Sequence, residues 1–306
     1  MFMKEISNYN PMIYVCPDVH CRSFYKPLLQ VKDKPIIFNG DFMCPYWWEG
    51  HSDEEGIENL KEIFNFARNN KNVILLAGNH CENYIWSPMS FMRTDREYYK
   101  ELHKLYRDNI DLLRPIYKIK DTIFTHAGIS SGWVNTMNNI FKQEGKDFQL
   151  TEENIIPYIE NEWVLELQSD QAPNQNFMNT SLNSPIFCIG RSRGGDAPYG
   201  GPFWSDFNAD YWYRPETNDK NWNIYQVFGH TQRELTGSIG FADGAACIDS
   251  RAIFEYNLDT HEIKPSEIND EKTKAKISKK DWKGGFIRFT DKLKEGESGS
   301  IWDNSF

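Results

Sequence analysis

Asp18, His20, Asp41, Asn79, His80, His126 and His230 share one context: each stands at or just beyond the end of a short apolar run. The local texts are Val15-Cys-Pro-Asp-Val-His20, Ile36-Ile-Phe-Asn-Gly-Asp41, Val73-Ile-Leu-Leu-Ala-Gly-Asn-His80, Ile123-Phe-Thr-His126 and Tyr225-Gln-Val-Phe-Gly-His230. Carboxylate oxygen and imidazole nitrogen suit hard and borderline divalent ions, and one carboxylate can bridge two ions roughly 3.5 to 4 Å apart. Taken singly, an Asp or Asn after a strand is a turn former. The ordered set holds four of the chain's seven histidines and reads instead as a cradle for a pair of metal ions.

Such a cradle needs elements that bring distant positions together. Runs rich in Val, Ile and Phe read as buried strands, and in open α/β sheets ligands collect beyond the carboxyl ends of the strands. Strands are expected at Met12–Cys16, from Ile36, from Val73, at Asn223–Phe228, at Ala245–Ile248 and at Ala252–Asn257. A short helical stretch is expected at Phe24–Leu29, and Ser52 or Asp53 can cap a helix with Ile57, Leu60, Phe64 and Ala67 on one face. Further amphipathic helices are expected at Arg96–Arg107 and Thr151–Leu167. Residues 169–221, rich in Asn, Gly, Pro and aromatics, read as a loop-rich, substrate-facing insertion. The chain divides into a domain over 1–260 and a polar extension over 261–306. Within that extension Trp282, Phe286, Ile287 and Phe289 could dock one more strand; the other reading is a mobile tail.

With these motifs in order, the chain resembles the calcineurin-like metallophosphoesterase superfamily over about residues 12 to 257. The family writes Asp-x-His, Gly-Asp-x-x-Asp, Gly-Asn-His-Glu/Asp, a lone His and Gly-His. The later texts Thr125-His-Ala-Gly-Ile-Ser130, Arg193-Gly-Gly195, Phe203-Trp-Ser-Asp206 and Phe228-Gly-His-Thr231 look most like the bacterial and phage branch related to serine/threonine phosphatases. The resemblance implies an α/β fold of four layers, two facing mixed β-sheets flanked by helices. It also implies two divalent metal ions, Mn²⁺ first, with Fe, Zn²⁺ or Ni²⁺ also suited to the donors. Asp18, His20 and Asp41 would hold the first ion, and Asp41, Asn79, His126 and His230 the second. A bridging hydroxide would then attack a phosphoryl group in line. His80 would stabilise or protonate the leaving oxygen. Arg193 is the choice for holding phosphate, because a planar guanidinium matches two oxygens; Arg191 and Arg214 compete for that role.

Three departures qualify the match. Gly40-Asp-Phe-Met-Cys-Pro45 replaces the family's second Asp by Cys44 and its following Arg by Pro45, which removes a phosphate clamp. Cys81 stands where an acidic residue would orient the catalytic His, and Cys21 where Asp-x-His is followed by Gly. Each thiol reads either as a small buried hydrophobe or as a redox-sensitive or metal-binding group. The loop Phe42-Met-Cys-Pro-Tyr-Trp-Trp-Glu49 is the most aromatic near the site, and Trp47 is the expected substrate contact, by stacking or by walling a pocket. Trp204 and Tyr199 pose the same alternative between pocket wall and packing.

Composition bounds the partners. A chain of 306 residues can bury roughly three quarters of its unfolded surface. No apolar run approaches the roughly 20 residues of a membrane helix. A formal charge of −10 argues against a broad nucleic-acid surface, which would be basic. It leaves room for a phosphorylated substrate, because metals reverse the local sign. Few cysteines and no recognisable secretory segment lead to the expectation of a cytoplasmic protein. The expected function is phosphomonoester hydrolysis on phosphoprotein, nucleotide or small phosphate substrates. The alternatives are dinucleoside polyphosphate hydrolysis and a noncatalytic metal- or phosphate-binding module.

Overall fold

The computed structural model describes residues 10–86, 96–169, 182–210, 224–242, 244–277 and 285–287. Along the chain run β1 (Met12–Cys16), β2 (Ile36–Phe38), α1 (Asp53–Asn69), β3 (Val73–Leu76), α2 (Asn79–Ile85), α3 (Tyr99–Asp108), β4 (Leu113–Arg114), β5 (Ile116–Ile119) and β6 (Thr122–Thr125). There follow α4 (Ser131–Gln143), α5 (Ile155–Gln168), α6 (Phe207–Asp210), β7 (Tyr225–Phe228), β8 (Gly240–Ala242), β9 (Ala245–Cys247), β10 (Phe254–Asn257), β11 (Glu262–Pro265), α7 (Glu271–Lys276) and β12 (Gly285–Phe286).

The strands form two mixed sheets. One has the order β12-β11-β10-β1-β2-β3-β4, and the other β5-β6-β7-β9-β8. The centre of each is parallel, through β1-β2-β3-β4 and β6-β7-β9, so their carboxyl ends point the same way within a sheet. Antiparallel partners close the flanks. Period-two alternation sends Ile13, Val15, Ile37, Ile74 and Leu76 into a cluster shared with Phe124, Val227 and Ala246 of the second sheet. Their neighbours Tyr14, Cys16, Ile36, Phe38, Val73 and Leu75 face the opposite way, onto a cluster that includes Ile57, Leu60, Ile63 and Phe64 of α1. Strands buried on both faces need such unbroken apolar text. This is the α/β arrangement expected: two sheets packed on each other with helices outside.

Helix α1 starts where its sequence says it should. Ser52 Oγ accepts from Glu55 N at 3.1 Å, and Asp53, Glu54 and Glu55 favour the positive end of the helix dipole. The stretch expected to be helical near Phe24 is instead a 3-10 turn over Lys26–Gln30, begun by Pro27. Helix α4, not foreseen, is capped by Ser130, whose Oγ accepts from Trp133 N at 3.1 Å.

Two features add to the expected organisation. The described part of the insertion, 182–210, is irregular but not a surface loop: Leu182, Ile186, Phe187 and Phe203 are fully buried. Phe203 stacks on Trp163 of α5 with centroids 5.8 Å apart. The Glu166 carboxylate accepts from Ser184 N at 2.9 Å and from Asn183 Nδ2 at 3.1 Å, which satisfies backbone that no strand pairs. Beyond residue 260 the polar extension adds strands to the first sheet, where β11 pairs with β10 and β12 with β11. Phe286 lies in β12 and Ile287 is buried just after it, whereas Trp282 and Phe289 lie outside the described residues. No helix among the described residues is long and apolar enough to cross a membrane.

Candidate metal centre

The strand ends converge. Asp18 and His20 follow β1, Asp41 follows β2, Asn79 opens α2 after β3, His126 follows β6 and His230 follows β7. The β1 and β2 loops are laced by backbone: Val19 N and His20 N both donate to Asp41 O, at 3.1 and 2.7 Å. His20, Asp41 and His230 all adopt left-handed backbone, with φ of 46°, 47° and 63°. That conformation is uncommon for residues with a Cβ and costs on the order of 1–3 kcal/mol each, so the surrounding contacts must enforce it. It turns each side chain sharply off its strand into one space.

Two donor groups share Asp41. One is Asp18, His20 and Asp41, the other Asp41, His126 and His230, and within each the ligand atoms lie within 4.8 Å of one another. Asp41 Oδ2 is 3.8 Å from His20 Nε2 and 3.4 Å from His126 Nε2, while its Oδ1 accepts from His80 N at 2.9 Å. His126 Nε2 also lies 2.9 Å from Asn79 Oδ1 and 3.2 Å from His230 Nδ1. Oxygen and nitrogen lone pairs crowding one point in this way fit a cation between them. The other ring nitrogens of His20 and His126 are committed. His20 Nδ1 faces Met43 O at 3.0 Å and Cys44 O at 3.1 Å, and His126 Nδ1 faces Asn39 O at 2.7 Å. Carbonyl acceptors there fix the Nδ1–H tautomer, which leaves both Nε2 lone pairs for a metal. Asp18 accepts from His230 N at 3.1 Å, and a Cβ on Gly229 would fall 2.0 Å from its Oδ1. A Cβ on Gly78 would likewise fall 2.1 Å from Asp41 Oδ1, so both glycines are required by close approach.

Burial without a counter-charge shows in the titration of these groups. It pushes Asp18 up to about 6, with Asp41 adding and His126 opposing. It also drives Asp249, buried beyond β9, well above the usual carboxylate range, with Asp18 adding to the shift. For His126, burial lowers the pKa but Asp41 and Asp18 outweigh it, and the net shift is upward. For His230, burial first, then Arg193 and His126, keep the ring neutral.

The folded apoprotein therefore holds protons at Asp18 and His126 that the unfolded chain has lost. Its stability falls as pH rises from 3.8 through about 6 for Asp18, and His126 adds in the same direction above 6.5. Cations reverse the sign, since they bind deprotonated donors. Thermal melts with and without Mn²⁺ should show a larger metal-induced rise in Tm at about pH 7.5 than at about pH 5. Equal increments would place the ion elsewhere.

A cavity of about 260 Å³ opens over this cluster, lined by His20, Asp41, Asn79, His80 and His230, by Tyr46, Trp48 and Trp204, and by Asn83 and Arg193. His80 stands edge-on to His20 with centroids 5.3 Å apart. Arg193 Nε pairs with Asp206 at 2.8 Å and its Nη2 donates to Thr231 Oγ1 at 2.8 Å. The guanidinium is thus aimed beside His230 by two residues of motifs quoted above. Arg191, two residues earlier in the same 3-10 turn, is exposed and does not line the cavity, and Arg214 lies outside the described residues.

Trp47 does not line the cavity and is 84% exposed; its neighbours Tyr46 and Trp48 do line it. The short 3-10 turn Trp47–Glu49 explains the exchange, because it sends successive side chains to different sides. Glu49 pins the turn: Arg22 reaches it through Nε at 2.7 Å and Nη2 at 3.1 Å, and Arg251 through Nε at 3.0 Å. Tyr199 packs against Gly132 of α4 instead of the cavity.

The three motif-adjacent thiols are packing groups. Cys21, Cys44 and Cys81 are buried and none lines the cavity. Cys44 Sγ contacts Tyr84 Oη at 3.3 Å, and Tyr106 Oη donates to Cys81 Sγ at 3.7 Å. Burial, with Asp41 adding, pushes the Cys81 thiol up to about 12, far from a thiolate at neutral pH. Asn83, which sequence reading passed over, lies four residues after Asn79. Its only signal was that spacing, legible once α2 is known to be a helix.

A fold of two mixed sheets with a histidine- and carboxylate-lined centre at the strand ends defines a metallophosphoesterase. The family model for calcineurin-like phosphoesterases matches residues 11–259, and the chain belongs to that family. Among solved structures it is similar to a cold-active protein-tyrosine phosphatase of the psychrophile Shewanella sp., at 16% identity over 82% of this chain and 76% of that one, with a TM-score of 0.43. A second structure of a cold-active protein tyrosine phosphatase matches at 16% identity over 82% and 75% of the two chains, with a TM-score of 0.44. No curated protein sequence matches the chain.

Proposed function

We propose that this protein hydrolyses phosphomonoesters at a dinuclear centre, Asp18, His20 and Asp41 holding one divalent ion and Asp41, Asn79, His126 and His230 the other. When bound, such a pair supplies Lewis acidity and makes water acidic enough to attack near neutral pH. The observation that carries the reading is the sharing of Asp41 by two donor groups under a cavity that also contains His80 and Arg193.

The protein's own groups divide the remaining work. Asp41 Oδ1, held by His80 N, orients the shared carboxylate. His80 gives a proton to the leaving oxygen, since it lines the cavity yet belongs to neither donor group. Arg193, pre-aimed by Asp206 and Thr231, orients the phosphate with the part of its guanidinium those partners leave free. Arg193→Ala should raise KM for a phosphomonoester at least about tenfold with metal content unchanged, as expected for a lost charge-assisted contact. Steady-state kinetics beside metal analysis would check this, and an unaltered KM would remove Arg193 from phosphate binding.

Mn²⁺ is the first candidate; mixed nitrogen and oxygen donors suit Fe, Zn²⁺ and Ni²⁺ as well, and availability decides among them. A cytoplasmic location is supported by six free cysteines. The decisive panel sets phosphomonoesters, phosphodiesters and dinucleoside polyphosphates against Mn²⁺-loaded and chelated protein. Metal-dependent turnover of monoesters supports the proposal. Preferred cleavage of the dinucleotides would replace it, and inactivity with both ions bound would return the chain to a binding module.

A further inference from the structure

Asn83 is fully buried, and neither its Oδ1 nor its Nδ2 has a hydrogen-bond partner among the described residues. Leaving both ends of a carboxamide unpaired inside a protein is rare and costly, so such a group calls for an absent partner. Its place in the fold says where that partner comes from. In α2, positions three and four apart share a face, so Asn83 sits one turn beyond Asn79 and His80 on the side they present to the cavity. It lines the same cavity as those two residues. Its neighbours on the helix are committed elsewhere: Glu82 accepts from Trp204 Nε1 at 3.1 Å, and Tyr84 meets Cys44. Among the described residues, Asn83 is the amide of this helix left without a hydrogen-bond partner.

We propose that Asn83 is a substrate-contacting specificity residue that reads the leaving group. Resting on the phosphomonoesterase reading, it assigns the substrate class as monoesters whose leaving group carries, close to the ester oxygen, a group that both donates and accepts hydrogen bonds. An alcohol hydroxyl or a carboxamide has that character. Oδ1 accepts from it and Nδ2 donates to it, so the pairing satisfies both orphaned atoms at once. Placement one helical turn, about 5–6 Å, from the residues at the phosphate suits a hydrogen-bonding group only a few bonds from phosphorus. The cavity of about 260 Å³ suits a compact leaving group of this kind. Sites that hydrogen-bond a substrate group discriminate steeply against the analogue that lacks it, because the site's own polar atoms are then left unpaired.

The test uses the Mn²⁺-loaded full chain and two matched pairs of esters. Glycerol 2-phosphate against isopropyl phosphate tests a hydroxyl; N-acetyl-O-phosphoserinamide against ethyl phosphate tests an amide. The wild type should favour the hydrogen-bonding member of at least one pair by about tenfold or more in kcat/KM, and the pair that responds identifies the source. Asn83→Leu, of similar volume, and Asn83→Ala, which adds no bulk, should each abolish that preference. Both should leave turnover of the plain alkyl ester within about threefold and metal content unchanged. Absence of a preference in the wild type, its survival in both variants, or an equal loss on all four esters would overturn the assignment. A wild type inert on all four esters with its metals bound would overturn the phosphomonoesterase reading, and this inference with it.

Discussion

Asp41→Asn should yield a folded protein that retains neither ion through dialysis and has lost turnover by about a thousandfold or more. The reason is geometric. Asp41 Oδ2 faces His20 on one side and His126 on the other, at 3.8 and 3.4 Å, so one oxygen serves both donor groups. An amide there offers either a neutral oxygen or an NH₂ that repels cations. Loss of the shared charge weakens both sites together, and Lewis-acid stabilisation worth several kcal/mol goes with it. The fold should survive, because Asn is isosteric and Oδ1 keeps its bond from His80 N. Removing one buried carboxylate also relieves the crowding that raises Asp18. Metal analysis, a thermal melt of the apoprotein and an assay on one monoester check the three parts. Retention of one full equivalent of metal would mean that Asp41 is not shared.

His80→Ala should behave in the opposite way: metal content nearly intact, turnover down by about a hundred- to ten-thousandfold. His80 lines the cavity but belongs to neither donor group, and what it gives Asp41 is a backbone N–H that alanine keeps. A phosphomonoester with a better leaving group, which needs less protonation, should suffer a smaller loss. That graded dependence separates a proton donor from a residue that merely packs against His20. Loss of metal in this variant would make His80 a ligand.

The convergence of these donors was legible because Asp18, Asp41 and Asn79 each come shortly after a strand whose text is almost purely apolar. Val15-Cys16, Ile36-Ile-Phe38 and Val73-Ile-Leu-Leu76 leave little choice of conformation, and the polar residue after each marks the exit. Helix α2 was not legible. It has only seven residues, and six of them, Asn79, Cys81, Glu82, Asn83, Tyr84 and Ile85, are buried, so no polar face supplies a helical period. Asn83 was hidden for the same reason.

Arg193 was placed by its Gly-Gly context, and the structure adds Asp206 and Thr231 as the residues that aim it. The exchange of Trp47 for Trp48 and Tyr46 turned on one short 3-10 turn anchored by Arg22 and Arg251, contacts far apart in sequence. Strand β11 was not legible because it alternates, with Ile263 buried between more exposed Glu262 and Lys264. Its charged positions read as tail composition, while one apolar position was enough to join it to the sheet.

In the proposed centre the Asp41 carboxylate is shared between two cations. Diffraction from crystals grown with Mn²⁺, recorded near the manganese absorption edge, tests it most directly. Two anomalous peaks about 3.5 to 4 Å apart are expected beside Asp41, one near Asp18 and His20 and the other near Asn79, His126 and His230. A single peak, or a pair that leaves Asp41 uncoordinated, would contradict it.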